Sequence, residues 1–163
     1  MRQIDALLNE YGASHQNQLN KRIHWICVPA IYFSIVLMLW AIPPGPVLQP
    51  LRDMAGSAAP FINWGSLLIT VTMLYYLRLS LGLFIGMILF SAICMSIAWW
   101  LEQANFAPLW LIGLLVFAAA WIGQFYGHKV EGKKPSFFKD LQFLLVGPAW
   151  LMHFLFKKAG IPY

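Results

Sequence analysis

Four long runs of apolar residues constrain the fold of this chain more than any other feature. They cover about residues 25–42, 61–77, 81–101 and 107–126. Each run approaches the roughly 20 residues that a helix needs to cross a bilayer. Hydrophobic residues make up 60% of the chain and charged residues 10%, whereas soluble domains carry about 25% charged residues. The sequence therefore predicts an all-α, polytopic membrane protein with four transmembrane helices, folded as a single integral membrane domain over residues 1–163.

A fifth apolar run, 141–156, differs from the other four. It is short for a crossing, and Gly147-Pro148 divides it near its middle. Because a proline inside a helix removes a hydrogen bond and kinks the chain, we expect a re-entrant or interfacial helix here.

The basic residues favour one orientation of the predicted bundle. With four crossings, ten of the eleven Lys and Arg residues fall on one side of the membrane and Arg52 falls on the other. Lysine and arginine accumulate in short cytoplasmic loops, so we expect both termini to be cytoplasmic. The compact chain favours a bacterial inner membrane, with the endoplasmic reticulum membrane as the eukaryotic alternative. The ten residues are Arg2, Lys21, Arg22, Arg78, Lys129, Lys133, Lys134, Lys139, Lys157 and Lys158.

Two segments outside the predicted spans have recognisable patterns. Apolar residues at Ile4, Leu7, Leu8 and Tyr11 follow helical spacing, which predicts a short amphipathic helix on the membrane surface. The loop 43–60 contains five prolines, and such a composition predicts an irregular, extended segment.

Several functional classes are disfavoured by composition and motifs. The basic residues are scattered around apolar spans, which indicates contact with anionic lipid rather than nucleic acid. Cys27 and Cys94 lie inside apolar runs and indicate packing rather than a disulfide. The sequence lacks the G-x-S-x-G motif, which counts against a Ser-His-Asp hydrolase.

All four histidines, His15, His24, His128 and His153, fall on the predicted cytoplasmic side. Histidine is the commonest metal ligand, and neutral imidazole suits iron, zinc and copper. Four histidines on one face therefore predict a shared metal site, although a single interfacial histidine is more often structural.

The residues around the histidines allow such a site. His15 and His24 lie nine residues apart and would point to opposite faces of one unbroken helix. A bend next to Gly12 would let them converge, and Asn17 or Asn20 could cap the helix that carries His24. Glu131 follows His128 by three residues, so the two are neighbours on a continuing helix. For Glu131, ion pairing with nearby lysines and metal ligation both remain open.

Two motifs surround three of the histidines. The first comprises His15, Asn17, Asn20, Ile23, His24, Val28 and Pro29. The second comprises Gln124, Phe125, Gly127, His128, Glu131, Lys133, Lys134 and Pro135. Together they resemble the motifs of the family of the yeast endoplasmic-reticulum 2-hydroxy fatty acid dioxygenase, and the likeness spans nearly the whole chain. The spacing from His128 to Glu131 is one residue shorter than in the family's pattern, and His153 stands where that pattern has a glutamate.

The resemblance implies a ferrous iron cofactor and an alpha-oxidation, in which dioxygen is used to shorten a 2-hydroxy fatty acid by one carbon. A non-haem iron site keeps open positions for substrate and dioxygen. On this basis His15, His24 and His128 are the expected ligands and catalytic residues, with His153 as a fourth ligand or a neighbour of the ligands.

Other polar residues receive supporting roles in the same hypothesis. Asn17 and Asn20 would orient imidazoles or bind the substrate carboxylate. Glu131 would also lie beside the ligands or the substrate, and Lys133 or Lys134 would attract the acid head group. The acyl tail would lie among the membrane spans.

Two alternatives from other classes stay open. One is a non-enzymatic membrane protein that carries a metal or lipid, although spans one to four lack the mid-membrane ionisable residues typical of transport paths. The other is a zinc-dependent membrane hydrolase that uses the same histidines.

Overall fold

Over the residues that it describes, the computed structural model of the chain is a bundle of seven α-helices and one short 3-10 helix. The structure describes residues 2–132 and 137–162, and the side chains only outside 137–142. Within these residues it contains no β-strand, in agreement with the predicted all-α class. The helices are α1 (Gln3–Ala13), α2 (Gln18–Trp40), α3 (Gly45–Met54), η1 (Gly56–Phe61), α4 (Trp64–Leu79), α5 (Leu81–Ala104), α6 (Leu109–Glu131) and α7 (Phe137–Ala159).

Three of the described helices, α2, α5 and α6, are long and apolar enough to cross a membrane. They correspond to the first, third and fourth predicted spans. The second span corresponds to α4, which has 16 residues and is therefore about 24 Å long at 1.5 Å per residue. It begins three residues later than predicted, because Asn63 and Ser66 form a capping box that starts the helix at Trp64, and it ends at Leu79 rather than at 77.

Helices α2 and α6 form the central pair because glycines let their backbones approach. A Cβ atom added to Gly113 would lie 2.8 Å from Cγ of Met38. The same addition at Gly123 would come within 2.6 Å of Sγ of Cys27. Small residues at a helix interface are the usual means of close packing between membrane helices. This packing brings the start of α2 against the end of α6.

The two ends of the bundle can be named by their residues. The histidine end comprises the starts of α2 and α5 and the ends of α4 and α6. The proline end comprises the opposite ends of these helices with the connection 43–60. The prediction of an irregular 43–60 is wrong, since α3 and η1 occupy most of it. Its Pro46 lies in the first turn of α3, where a missing N–H costs no hydrogen bond.

The N-terminal helix α1 confirms the predicted amphipathic segment. Ile4, Leu8 and Tyr11 are buried, as the helical spacing indicated. They pack with Val146, Trp150 and other residues of α7 in a core cluster at the histidine end. Helix α1 is therefore fixed to the bundle through α7.

Helix α7 lies across the histidine end rather than alongside the whole bundle. Its Gly147 packs against Val28 of α2, the Tyr76 hydroxyl near the end of α4 donates to its Leu145 carbonyl, and its Met152 meets Gly86 near the start of α5. All three contacts lie in the half of the bundle nearest the histidines. This arrangement agrees with an interfacial helix.

The Gly147-Pro148 pair does not end this helix, because α7 continues through Pro148, and the expected kink stays a prediction. Gly147 fits closely against Tyr11 and Val28, and neighbouring polar groups commonly compensate for proline in packed membrane helices.

Candidate metal centre

Three histidines from separate segments meet at the histidine end. His15 lies in the turn between α1 and α2, His24 in the second turn of α2, and His128 in the last turn of α6. One nitrogen from each ring lies within 4.8 Å of the others. Their exposed fractions are 2%, 0% and 7% respectively. The structure thus brings together three of the four predicted histidines in a buried group that could hold a metal ion.

The rings of His15 and His24 are oriented by the backbone. Nδ1 of His15 lies 2.7 Å from the Tyr11 carbonyl oxygen, and Nδ1 of His24 lies 2.9 Å from the Asn20 carbonyl oxygen. When each Nδ1–H donates to its carbonyl, the lone pair is on Nε2, which is the arrangement common to metal-bound histidines.

The Nε2 atom of His24 provides the test of whether a metal fits. It is buried and has no hydrogen-bond partner among the described residues. Leaving a buried polar atom unsatisfied costs about 1–3 kcal/mol, whereas a metal ion would use its lone pair. Imidazole nitrogen is also a suitable donor for iron, zinc and copper, so these residues fit a metal cofactor.

Two aromatic residues hold His15 in place, and sequence reasoning missed both roles. The Tyr11 ring stacks on the His15 ring with a centroid distance of 4.2 Å and an interplanar angle of 13°. The Trp150 ring of α7 lies at 5.4 Å from the same imidazole. The four-residue spacing of Tyr11 and His15 could have indicated the first contact. No local signal connects Trp150 with His15.

Glu131 ties the His15 turn to the end of α6. Its Oε1 accepts a hydrogen bond from the Gln16 backbone N–H at 2.8 Å. Its Oε2 accepts from the Asn17 backbone N–H at 2.9 Å and from Nδ2 of Asn20 at 3.0 Å. Through these contacts Glu131 positions two of the three histidine-bearing segments. Ligation by Glu131 stays a prediction, and an ion pair with Lys133 or Lys134 would lie outside the described residues.

The two predicted asparagines also stabilise this junction. Asn17 caps α2, since its side chain accepts from the backbone N–H groups of Leu19 and Asn20, which confirms one of the two expected caps. Asn20 is fully buried. Its amide group packs so closely on Gly127 that a Cβ there would lie 2.4 Å from Oδ1 of Asn20. Any larger residue at 127 would displace Asn20.

His153 is not part of the three-histidine group. It lines an adjoining cavity of about 420 Å³ together with His15, Gln16 and Lys21. Because α7 does not break at Pro148, Trp150 rather than His153 stands against the His15 ring. Burial, and secondly the nearby Lys157, lower the pKa of His153. Lys133 and Lys134 lie outside the described residues.

A second, smaller cavity reaches the other side of the histidines. It has a volume of about 30 Å³ and is lined by His24, His128 and Gln124, and further along by Val28 and Ile31. A water molecule needs about 10–15 Å³ by this measure, so the space admits a molecule of the size of water or dioxygen. Gln124 is buried one helical turn before His128. That spacing could have identified it as a site residue.

Comparison with known proteins gives one match. A family model described as 2-hydroxy-palmitic acid dioxygenase Mpo1-like matches residues 1–159. The matched range includes all four histidines, Glu131 and the whole of α7. Neither curated proteins nor solved structures give a match.

Proposed function

The chain belongs to the Mpo1-like family, and we propose that it is an iron(II)-dependent membrane dioxygenase that shortens 2-hydroxy fatty acids by one carbon. The observation that carries the proposal is the group of three buried histidines whose ring nitrogens lie within 4.8 Å of one another. The family description supplies the substrate class, and the apolar helices suit a substrate that partitions into lipid.

In this proposal Nε2 of His24, with ring nitrogens of His15 and His128, holds the metal. Bound ferrous iron would supply open positions for dioxygen and for the substrate's hydroxyl and carboxylate oxygens. The protein's part is to keep the imidazoles neutral and fixed. The Tyr11 and Asn20 carbonyls fix two of them, and such outer partners typically change metal affinity or activity by about 10–100-fold.

The surrounding side chains would also control access to the site. Tyr11 and Trp150 cover His15 with aromatic surface, which limits bulk water beside the reacting groups. The cavity of about 30 Å³ beside His24 and His128 leaves room for a small gas molecule. The cavity of about 420 Å³ beside His15 opens on the polar side and suits the acid head group. Two separate cavities next to the same three histidines suit a reaction between dioxygen and a fatty acid.

The proposed reaction balances without an external reductant. The bond between C1 and C2 of the 2-hydroxy acid breaks, C1 leaves as carbon dioxide, and C2 becomes the new carboxyl carbon. This change releases four electrons, which reduce one dioxygen molecule, and one water is formed. Oxygen consumed and carbon dioxide released should therefore be equal in amount.

Metal analysis and oxygen uptake together test the proposal. Protein purified without oxygen should contain iron and should consume dioxygen when a 2-hydroxy fatty acid is added, with release of the acid one carbon shorter. Protein that holds zinc and consumes no oxygen would favour the hydrolase alternative. Protein that binds fatty acid or metal without turnover would favour a carrier. Either result would overturn the dioxygenase proposal.

We also propose that the histidine end faces the cytoplasm. Among the described basic residues, Lys21, Arg22, Arg78 and Lys129 lie in helix ends on this side and Arg52 lies in α3 at the proline end, and basic residues accumulate on the cytoplasmic side. A cysteine introduced at exposed Arg78 should react with an impermeant reagent in spheroplasts only after the membrane is opened. A cysteine at exposed Met54 should react with an impermeant reagent in intact ones. The reverse pattern would contradict the orientation.

A further inference from the structure

We propose that the fatty acid lies in a groove between α2 and α7, with its carboxylate at Lys21 and its acyl tail directed towards α5. This inference rests on the proposed function and adds a residue that binds the head group and a path for the tail. Three adjoining cavities carry it, because consecutive cavities share lining residues and change from polar to apolar along the path.

The first cavity begins at the histidines. It has a volume of about 420 Å³ and is lined by His15, Gln16, Lys21 and His153 among others. One carboxylate, Asp5, also lines it, but Arg2 pairs with that carboxylate at 2.9 Å and 3.0 Å. The positive charge of Lys21 is therefore not neutralised by Asp5. An anionic head group in this cavity would lie between His15 and a lysine.

The second cavity continues along the same wall with more positive charge. It measures about 500 Å³ and shares Lys21, Trp150 and Phe154 with the first. Arg22 and Lys158 line it as well. Long basic side chains beside an aromatic surface pack their apolar stems against that surface and keep their charged ends in water. An amphiphilic acid fits such a surface better than a neutral lipid does.

The third cavity is apolar. It has a volume of about 110 Å³ and shares Trp25 and Leu155 with the second. The rest of its wall includes Pro29 of α2, Phe90 of α5 and Leu151 of α7, and none of the described residues that line it is charged. Ligand sites typically combine an apolar wall with a few placed polar groups. The three cavities provide these features in the order of a 2-hydroxy acid, from head group to tail.

Lys21 is the residue that most directly separates this inference from general lipid binding. It lines both the cavity at His15 and the cavity that leads to the apolar end. A hydrogen bond to a charged partner contributes about 1.5–3 kcal/mol, and 1.4 kcal/mol corresponds to a tenfold change in affinity. Lys21→Gln should therefore weaken binding of the acid by about tenfold or more, and Lys21→Arg should largely restore it.

Photo-crosslinking tests the whole path independently of turnover. A 2-hydroxy fatty acid with a diazirine near the end of its chain is added to purified full-length protein in nanodiscs, and labelled residues are identified by mass spectrometry. We expect labels at Trp25, Leu151 or Leu155. Unlabelled 2-hydroxy acid should compete more effectively than a phospholipid. Labels confined to lipid-facing residues far from the groove, such as Val71 or Ile93, would overturn the inference.

The variants give a second, quantitative readout in the same assay. Crosslinking should fall in Lys21→Gln and be unchanged in Arg78→Gln, which removes an exposed charge at the same end. Equal labelling in both variants would overturn the role of Lys21. Leu155→Trp should reduce labelling by long-chain acids more than by short-chain acids, because a larger side chain would fill the junction of two cavities. A loss independent of chain length would contradict the tail path.

The two proposals can fail separately. If oxygen uptake is absent while the groove is labelled and Lys21→Gln weakens labelling, the dioxygenase proposal fails and the binding groove stands. If oxygen uptake is normal while labels lie elsewhere, the groove is wrong and the dioxygenase proposal stands.

Discussion

The two ends of the bundle satisfy their polar groups in different ways. At the proline end, buried Asn63 bonds with Ser66 and with the Pro60 carbonyl, each only three residues away. At the histidine end, Glu131 bonds with Gln16, Asn17 and Asn20, which lie more than 110 residues earlier. The local network closes a helix start. The long-range network assembles several segments around one point.

The ends also differ in what they leave unsatisfied. Nε2 of His24 and Oδ1 of Asn20 are buried without a hydrogen-bond partner among the described residues. Buried polar atoms of this kind are uncommon and call for an explanation such as an ion or a catalytic role. A fold that needed only stability could cap its helices locally, as the proline end does. The arrangement of the histidine end fits the proposed metal site.

Removing one proposed ligand should give the largest difference between the two ends. His24→Ala should abolish stoichiometric metal binding and oxygen uptake, because it deletes a nitrogen from the three-histidine group. Glu102→Gln, an exposed change near the proline end, should preserve both. Metal content by mass spectrometry of the purified variants is the measurement. Full iron occupancy in His24→Ala would show that the site assignment is wrong.

Removing the long-range acceptor should weaken the site without deleting a ligand. Glu131→Ala leaves the Gln16 and Asn17 N–H groups without their acceptor and frees the His15 turn. We expect iron affinity to fall by about 10–100-fold, as for other residues that position ligands. A titration against a competing chelator measures the change. Unchanged affinity would mean that the network serves folding alone.

Filling the space at Gly127 should have a smaller effect. A Cβ at this position would meet Oδ1 of Asn20 at 2.4 Å, so Gly127→Ala must shift Asn20 or separate α2 from α6. Overpacking of this kind costs about 1–3 kcal/mol. Both the denaturation midpoint and the iron affinity should fall. The control is Gly113→Ala, which crowds the same pair of helices far from the histidines and should lower stability without lowering iron affinity. Gly132→Ala would not serve as a control, because Gly132 has φ +73° and the substitution would strain the backbone.

Removing the cap at the proline end should have the smallest effect. Asn63→Ala deletes the side-chain acceptor for the Ser66 N–H, and loss of an N-cap costs about 1 kcal/mol. Thermal unfolding in detergent should shift down slightly, while iron affinity should stay the same. A loss of iron in this variant would remove the distinction between the two ends.

The sequence predicted the parts of the fold that depend on local pattern. The apolar runs indicated α2, α5 and α6, and the spacing of Ile4 and Leu8 indicated α1. The distribution of basic residues predicted that His15, His24 and His128 lie on the same side of the membrane. These inferences succeed because helical spacing and hydropathy are properties of neighbouring residues.

The errors concern features set by contacts between distant segments. Pro148 does not end α7, and packing of Gly147 on Tyr11 and Val28 accompanies a continuous helix. The continuous helix places Trp150 beside His15 and leaves His153 in the adjoining cavity. The hydrogen bonds of Glu131 with the turn before α2 had no local signal. The prolines of 43–60 were wrongly interpreted as excluding helices, although proline is tolerated in the first turn of a helix.

X-ray absorption at the iron edge tests the central claim most directly. Protein purified without oxygen and loaded with ferrous iron should show nitrogen and oxygen neighbours with the multiple-scattering pattern of imidazole. His24→Ala should hold no stoichiometric iron and give no such spectrum. Any iron retained by His15→Ala or His128→Ala should show a smaller imidazole contribution, whereas His153→Ala should match the unsubstituted protein. Iron with sulfur neighbours, iron without imidazole, or a spectrum unaffected by the three substitutions would contradict the proposed centre.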